Sequence, residues 1–272
     1  MNRMDGKICL IAGATQGLGT AIARRLAAAG AAGIVITGRS EAKGAAVAGG
    51  LLKDYGVKAI FCKADLASTD DCFAAVAACE SAFGRIDTLV IAGATTARGT
   101  ILSTTPELFD EIFSTNVRGP YFLMQAAIKS MIRNKIEGTI CSIGSISGLA
   151  GQPFINAYCA SKAALSTLTA NTAFSVMGNR IRVNLLNVGW MASDNERKIQ
   201  QEAGGEDWEA KAILKLPFGR LIDPDEAARA VNFLVSADSG LMTGAIVNYD
   251  QSVWGAVSGA MPTPDAPMTL GE

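Results

Sequence analysis

Residues 8–19 read Ile8-Cys9-Leu10-Ile11-Ala12-Gly13-Ala14-Thr15-Gln16-Gly17-Leu18-Gly19. Five consecutive apolar residues show no polar alternation. A strand made from them is buried on both faces, as strands of a parallel sheet are. Glycines at 13, 17 and 19 then permit a tight turn, and Ile22 and Leu26 fall on one face of a helix that Gly30 closes. Such a turn aims backbone N–H groups, with the positive end of the helix, at any pyrophosphate lying above it. The spacing is G-x-x-x-G-x-G rather than the literal G-x-G-x-x-G, and glycine turns are common in themselves. Its place in the first strand-to-helix turn is what favours a dinucleotide, with Gly13, Thr15, Gln16, Gly17, Leu18 and Gly19 as the contact set.

The pattern repeats outward. Apolar, β-branched runs at 7–12, 33–37, 58–63, 88–92, 138–143, 181–187 and 245–249 alternate with helical stretches near 18–29, 41–55, 69–83, 106–134, 156–178 and 223–237. Strands alternating with helices make right-handed βαβ units. The expectation is an α/β chain of Rossmann type: a doubly wound, seven-stranded parallel sheet flanked by helices on both faces. With no repeat and no linker, residues 1–272 read as one domain. Pro106 starts a helix where its missing N–H costs nothing, and Asp223 caps the last one. Two segments break the rhythm. Residues 189–217 are read as a long loop acting as a substrate lid, and residues 255–272, rich in Gly and Pro, as a tail that is loose or laid on a neighbouring subunit.

Composition narrows the chemistry. There is no histidine, which excludes Ser-His-Asp and Cys-His hydrolases and most zinc sites, so no metal is expected. Any general acid or base must be Tyr, Lys, Asp, Glu or Cys. The six cysteines form no C-x-x-C pair and read as reduced core thiols. A net charge of −1 offers nothing to nucleic acid or an anionic membrane. No run of eighteen apolar residues and no signal-like start is present, so a cytoplasmic protein is the expectation.

The second strand ends Thr37-Gly38-Arg39-Ser40. An acidic residue there would bind the adenosine ribose of NAD. Instead Arg39 stands where a guanidinium can pair with a 2′-phosphate, which favours NADP over NAD, although a solvated surface arginine has the same appearance. Asp65, ending the third strand, is placed either to meet the adenine or to cap a helix. Further on, Tyr158 and Lys162 are i and i+4 in a helix and share a face. A cation beside a phenol lowers its pKa toward working pH, and a tyrosine so tuned can pass a proton to or from a ketone or alcohol oxygen. Alone, that spacing is a frequent accident of surface helices.

Taken together, Gly13-x-x-x-Gly17-x-Gly19, Asp65-Leu66, Asn116, Ser145, Tyr158-x-x-x-Lys162 and Val188-Gly189 resemble the short-chain dehydrogenase/reductase family, in its single-domain branch, from about Lys7 to Tyr249. The resemblance implies that Tyr158 is the general acid/base and that Ser145, thirteen residues upstream, binds the substrate oxygen. It implies that Lys162 binds the nicotinamide ribose and lowers the tyrosine pKa, and that Asn116 holds a water of the proton relay. The reaction implied is hydride transfer between a nicotinamide cofactor and a small ketone or secondary alcohol. Ala92, Val188, Gly189 and Ser193 join the cofactor contacts on the same ground.

The chain departs from the family around the cofactor. Ala12 replaces the threonine before the first glycine, and Ser193 the later threonine. The family's Asn-Asn-Ala-Gly aligns with Ile91-Ala92-Gly93-Ala94, or keeps Ala92-Gly93 as its Ala-Gly if one residue is deleted. Val188-Gly189 stands for Pro-Gly. A nucleotide-binding sensor with little turnover is therefore the alternative. An epimerase of the family's extended branch would need more chain after Tyr249. Thr96, Arg98, Ser147, Gln152, Phe154, Trp190, Met191 and Trp208 are expected to wall the pocket, with Ser145, Ser147, Gln152, Tyr158 and Trp190 on a substrate such as a cyclic ketone, polyol or sugar. The family's usual assembly is a homotetramer, and small residues on 156–178 would permit close helix packing, with Trp254 reaching a neighbour.

Overall fold

A computed structural model describes residues 3–253 and 269. The tail at 255–272, apart from residue 269, and Trp254 lie outside the described residues. The first strand, β1 (Ile8–Ala12), is buried along its whole length. Its side chains alternate between two cores. Cys9 and Ile11 join one with Ile34, Ile36, Val90, Cys141 and Leu186. Ile8, Leu10 and Ala12 join the other with Val35, Leu89, Ile91, Ile140 and Val183. Each fully buried Leu or Ile contributes roughly 1.5–3 kcal/mol. Burial on both faces is the physical reason the strand reads as an unbroken apolar run.

The remaining strands are β2 (Gly33–Gly38), β3 (Lys58–Lys63), β4 (Thr88–Ile91), β5 (Thr139–Ser145), β6 (Arg182–Val188) and β7 (Ile246–Tyr249). They form one sheet in the order β3-β2-β1-β4-β5-β6-β7, parallel throughout. The chain winds one way from β1 to β3 and then returns to add β4 beside β1. That reversal opens a crevice at the carboxyl ends of β1 and β4, where ligands of such sheets bind.

The helices are α1 (Gly17–Ala28), α2 (Glu41–Tyr55), α3 (Thr69–Phe83), α4 (Pro106–Phe113), α5 (Gly119–Arg133), α6 (Asn156–Val176), α7 (Asp194–Gly204), α8 (Trp208–Ile213) and α9 (Pro224–Val235). α1 and α9 pack on the first core, α3 and α5 on the second. Their starts carry the expected chemistry: Ser40, Ser68, Thr105 and Asp223 each accept a first-turn backbone N–H.

Two expectations need correction. Residues 106–134 are not one helix, because a π-helical turn at Ser114–Arg118 separates α4 from α5. Pro120 lacks the N–H that α-helical spacing would bring to the Asn116 carbonyl, and the Gly119 N–H reaches back five residues to Ser114 O instead. Nor is 189–217 a bare loop. It folds as α7 and α8 around a small apolar cluster of its own, with Trp208, Ala212 and Leu221 packed against Trp190, Ala192 and Leu216. Trp208 is thus the buried centre of that cluster. All six cysteines are unpaired, and all but Cys62 are buried. Among the described residues, no helix is long and apolar enough to cross a membrane.

Candidate active site

The glycine turn fits because side chains are missing from it. Gly13 has φ +78° and Gly17 φ +54°, a region other residues avoid. A Cβ on Gly13 would overlap the Cα and N of Gly93, and one on Gly19 would overlap the Gly13 carbonyl. Two backbones therefore touch at Gly13–Gly93. This contact also answers the loss of the asparagines: Ala92 N and Gly93 N both donate to Ala12 O, at 2.9 and 3.0 Å. Gly13 N and Ala14 N likewise share Thr37 O. Backbone groups satisfy one another where the family uses amide side chains.

The first turn of α1 has no side-chain cap and no acidic residue, so its N–H groups remain available to an anion. That cradle fits a dinucleotide pyrophosphate. Thr15 lies over Gly38, where a Cβ would meet its Cγ2 at 2.6 Å. Gln16 Oε1 accepts from Lys43 Nζ at 2.7 Å. Arg39 is exposed beside them, with no protein partner among the described residues. Asp65 Oδ1 accepts from Ala67 N at 3.0 Å, and the cap of α3 is Ser68. The helix-capping reading of Asp65 is thus incorrect. Leu66 presses its carbonyl on Gly119, where a Cβ could not fit, and its side chain on Gly93. Val188 is buried, and Gly189 leaves room for the Asp250 carboxylate. The Ser193 hydroxyl caps α7 by accepting from Glu196 N.

At the carboxyl end of β5, Ser145, Tyr158 and Lys162 come together, each less than a tenth exposed. Ser145 Oγ accepts from Ser147 N at 3.1 Å. Lys162 Nζ donates to Ile143 O at 2.9 Å and sits 5.7 Å from the centre of the Tyr158 ring. Burial pushes the Tyr158 phenol up to about 12, while a hydrogen bond with Ser145 pulls the other way. The net shift is upward, because desolvation of the phenolate outweighs what lowers it. The same desolvation lowers Lys162 itself to about 8.

Asn116, 1% exposed in the π turn, has its side chain fully engaged. Its Oδ1 accepts from Thr95 N at 2.9 Å, and its Nδ2 donates to Thr95 O and Ser161 Oγ, both at 3.0 Å. Ser161 in turn donates to Tyr158 O at 2.7 Å. A chain of hydrogen bonds therefore ties the segment after β4 to the helix that carries Tyr158. Sequence reading missed Ser161. Its signal was a hydroxyl three residues after the tyrosine, inside an otherwise apolar helix face.

Around this centre the walls are uneven. Ser147 is buried, and Gln152 N donates to Cys159 Sγ at 3.4 Å. Phe154 is half exposed beneath the Arg98 guanidinium, 5.5 Å from the ring centre. Thr96 is exposed. Met191 pairs with Ile222. Trp190 Nε1 donates to Glu196 Oε1 at 2.8 Å.

Fold and site together define an oxidoreductase of Rossmann type. Residues 13–252 match the family model described as enoyl-(acyl carrier protein) reductase. The chain belongs to the short-chain dehydrogenase/reductase family, whose members act on CH–OH groups. It is 31% identical to a 3-oxoacyl-(acyl-carrier-protein) reductase of Haemophilus influenzae, over 92% of this chain and 99% of that protein. It is also 31% identical to galactitol 2-dehydrogenase of Agrobacterium fabrum, over 93% and 99%. Among solved structures, L-sorbose reductase of Gluconobacter frateurii, complexed with NADPH and L-sorbose, superposes with a TM-score of 0.89 at 26% identity, covering 94% of this chain and 100% of that one.

Proposed function

We propose that this protein interconverts a small ketone and a secondary alcohol with NADP(H), using Tyr158 as the general acid/base. The observation that carries the reading is the buried convergence of Ser145, Tyr158 and Lys162 at the sheet's carboxyl edge, beside an uncapped helix N-terminus. A bound nicotinamide supplies or accepts the hydride. The chain's own residues handle the proton. In reduction Tyr158 Oη gives its proton to the carbonyl oxygen, which Ser145 Oγ holds by a hydrogen bond. A phenol pushed up to about 12 carries that proton throughout neutral pH, the form that reduction requires.

Lys162, protonated below about 8, stabilises the phenolate left behind. The Asn116 carbonyl, which Pro120 cannot engage, is the group left to hold a relay water. Arg39 would pair with a 2′-phosphate, and the NADPH bound by the sorbose reductase supports that choice over NAD. Gly13, Thr15, Gln16, Gly17, Leu18 and Gly19 would hold the pyrophosphate side. Asp65, Leu66, Ala92, Val188, Gly189 and Ser193 complete the cofactor wall. Ser147, Gln152 and Trp190 face the substrate, for which a cyclic ketone, polyol or sugar fits the mixture of apolar and hydroxyl-binding groups. One catalytic domain, a homotetramer and a cytoplasmic location belong to the same reading.

A substrate panel followed by nicotinamide absorbance with both cofactors tests it. Tyr158→Phe should lower turnover about 100- to 10,000-fold and leave NADPH binding nearly intact. Full activity in that variant refutes the assignment. NADPH binding with no oxidation across the panel would favour the sensor instead.

A further inference from the structure

The first turn of α7 lies against the glycine loop: a Cβ on Gly17 would stand 3.7 Å from the Ser193 Cβ. Ser193 caps that turn through the Glu196 N–H at 3.2 Å. The Glu196 side chain is half-buried and unusually held. Trp190 Nε1 and Gln200 Nε2 both donate at 2.8 Å, and both to the same oxygen, Oε1. Among the described residues, nothing hydrogen-bonds Oε2. The neighbouring cations are engaged elsewhere, Arg197 with Glu209 and Lys198 with Glu202. Among the described residues Glu196 therefore has no cationic partner and is oriented by two neutral donors. Burial chiefly raises the Tyr158 phenol, and the nearby Glu196 carboxylate adds a smaller push in the same direction.

We propose that Glu196 is a specificity-determining residue of this site, its Oε2 accepting hydrogen bonds from substrate hydroxyls. This rests on the reading of the Tyr158 centre as a ketone and alcohol site. A carboxylate accepts and cannot donate, so its partner must bring O–H groups. The bond is charge-assisted and strong for that reason. A polar site that binds a hydroxyl rejects the analogue lacking one, because its own group is then left unpaired. A carboxylate or phosphate near the reacting carbon would meet like charge. The class selected is polyhydroxylated ketones and their polyols.

Glu196→Gln keeps one oxygen acceptor for Trp190 and Gln200, removes the charge and puts a donor NH2 where Oε2 accepts. The ratio of kcat/KM for a polyhydroxylated ketone over a hydroxyl-free cyclic ketone should fall about 10- to 100-fold. The kcat/KM for a keto acid should rise over the same substitution. An unchanged ratio overturns the proposal, because a residue that only braces Trp190 would affect all substrates alike. A second readout separates the two levels of inference. Calorimetry of polyol binding in the presence of NADP should show at least a tenfold loss in the variant. If no ketone in the panel is turned over, the reading of the centre fails, yet that binding loss still supports the role of Glu196. No polyol binding by the wild type, or equal binding by both, overturns it.

Discussion

Lys162 should make this protein more stable as the solution becomes more alkaline, over a defined window. The ammonium is 3% exposed, and burial brings its pKa from 10.5 to about 8. At 1.36 kcal/mol per unit, keeping it charged in the folded state costs roughly 3 kcal/mol. The sign follows from proton counting. Below pH 8 both states hold the proton and the cost is present in full. Between about 8 and 10.5 the unfolded chain holds a proton that the folded chain has released, so stability rises with pH. Above 10.5 both are neutral and the cost is gone. Lys162→Met removes the titrating group at similar length. It also leaves Ile143 O without the Nζ donor, a loss that does not vary with pH. Urea unfolding of both proteins across this range, with the two curves subtracted, cancels every other titration. The difference should climb by roughly 3 kcal/mol in favour of the wild type. A difference that stays level from pH 8 to 10.5 refutes the reasoning, and shows that water reaches the amine. Catalysis should record the same event: ketone reduction by the wild type should fall as pH rises through about 8, because a neutral Lys162 no longer steadies the phenolate.

Other outcomes follow from the cofactor side. Arg39→Ala should weaken NADPH binding about 10- to 100-fold and NADH binding far less, by fluorescence titration. Equal losses would mean that Arg39 does not read the 2′-phosphate. Gly13→Ala forces a left-handed φ of +78° on an alanine and drives its Cβ into Gly93. The strain of roughly 1–2 kcal/mol and overpacking of roughly 1–3 kcal/mol should together lower unfolding free energy by about 2–5 kcal/mol. A Tm within two degrees of the wild type would mean that the β1 and β4 turns separate easily.

The alternating pattern of apolar runs and helices, and the turn Gly13-Ala14-Thr15-Gln16-Gly17, were legible because they are local. A strand buried on both faces must be largely apolar, and a turn with positive φ favours glycine, whatever the rest of the chain does. Tyr158 and Lys162 were legible for the same reason, since four residues in a helix guarantee a shared face. The break at residues 114–118 also has a local cause in Pro120, although the continuous apolar stripe of 106–134 concealed it.

What the sequence by itself determined about this protein is its fold, its first glycine turn and the one-turn spacing of Tyr158 and Lys162. Tertiary structure alone decided how those groups behave. The phenol of Tyr158 rises to about 12 rather than falling, because the sheet and helices around it exclude water, and desolvation depends on every neighbour rather than on the residue four positions away. Glu196 acts on that phenol from the segment in which Trp190 meets Trp208 and donates to the Glu196 carboxylate. Asn116 is pinned to Thr95 and Ser161, residues 21 and 45 positions distant. Gly13 touches Gly93 across the crevice between β1 and β4. Such contacts join segments far apart in the chain, and no period or spacing along one segment carries them.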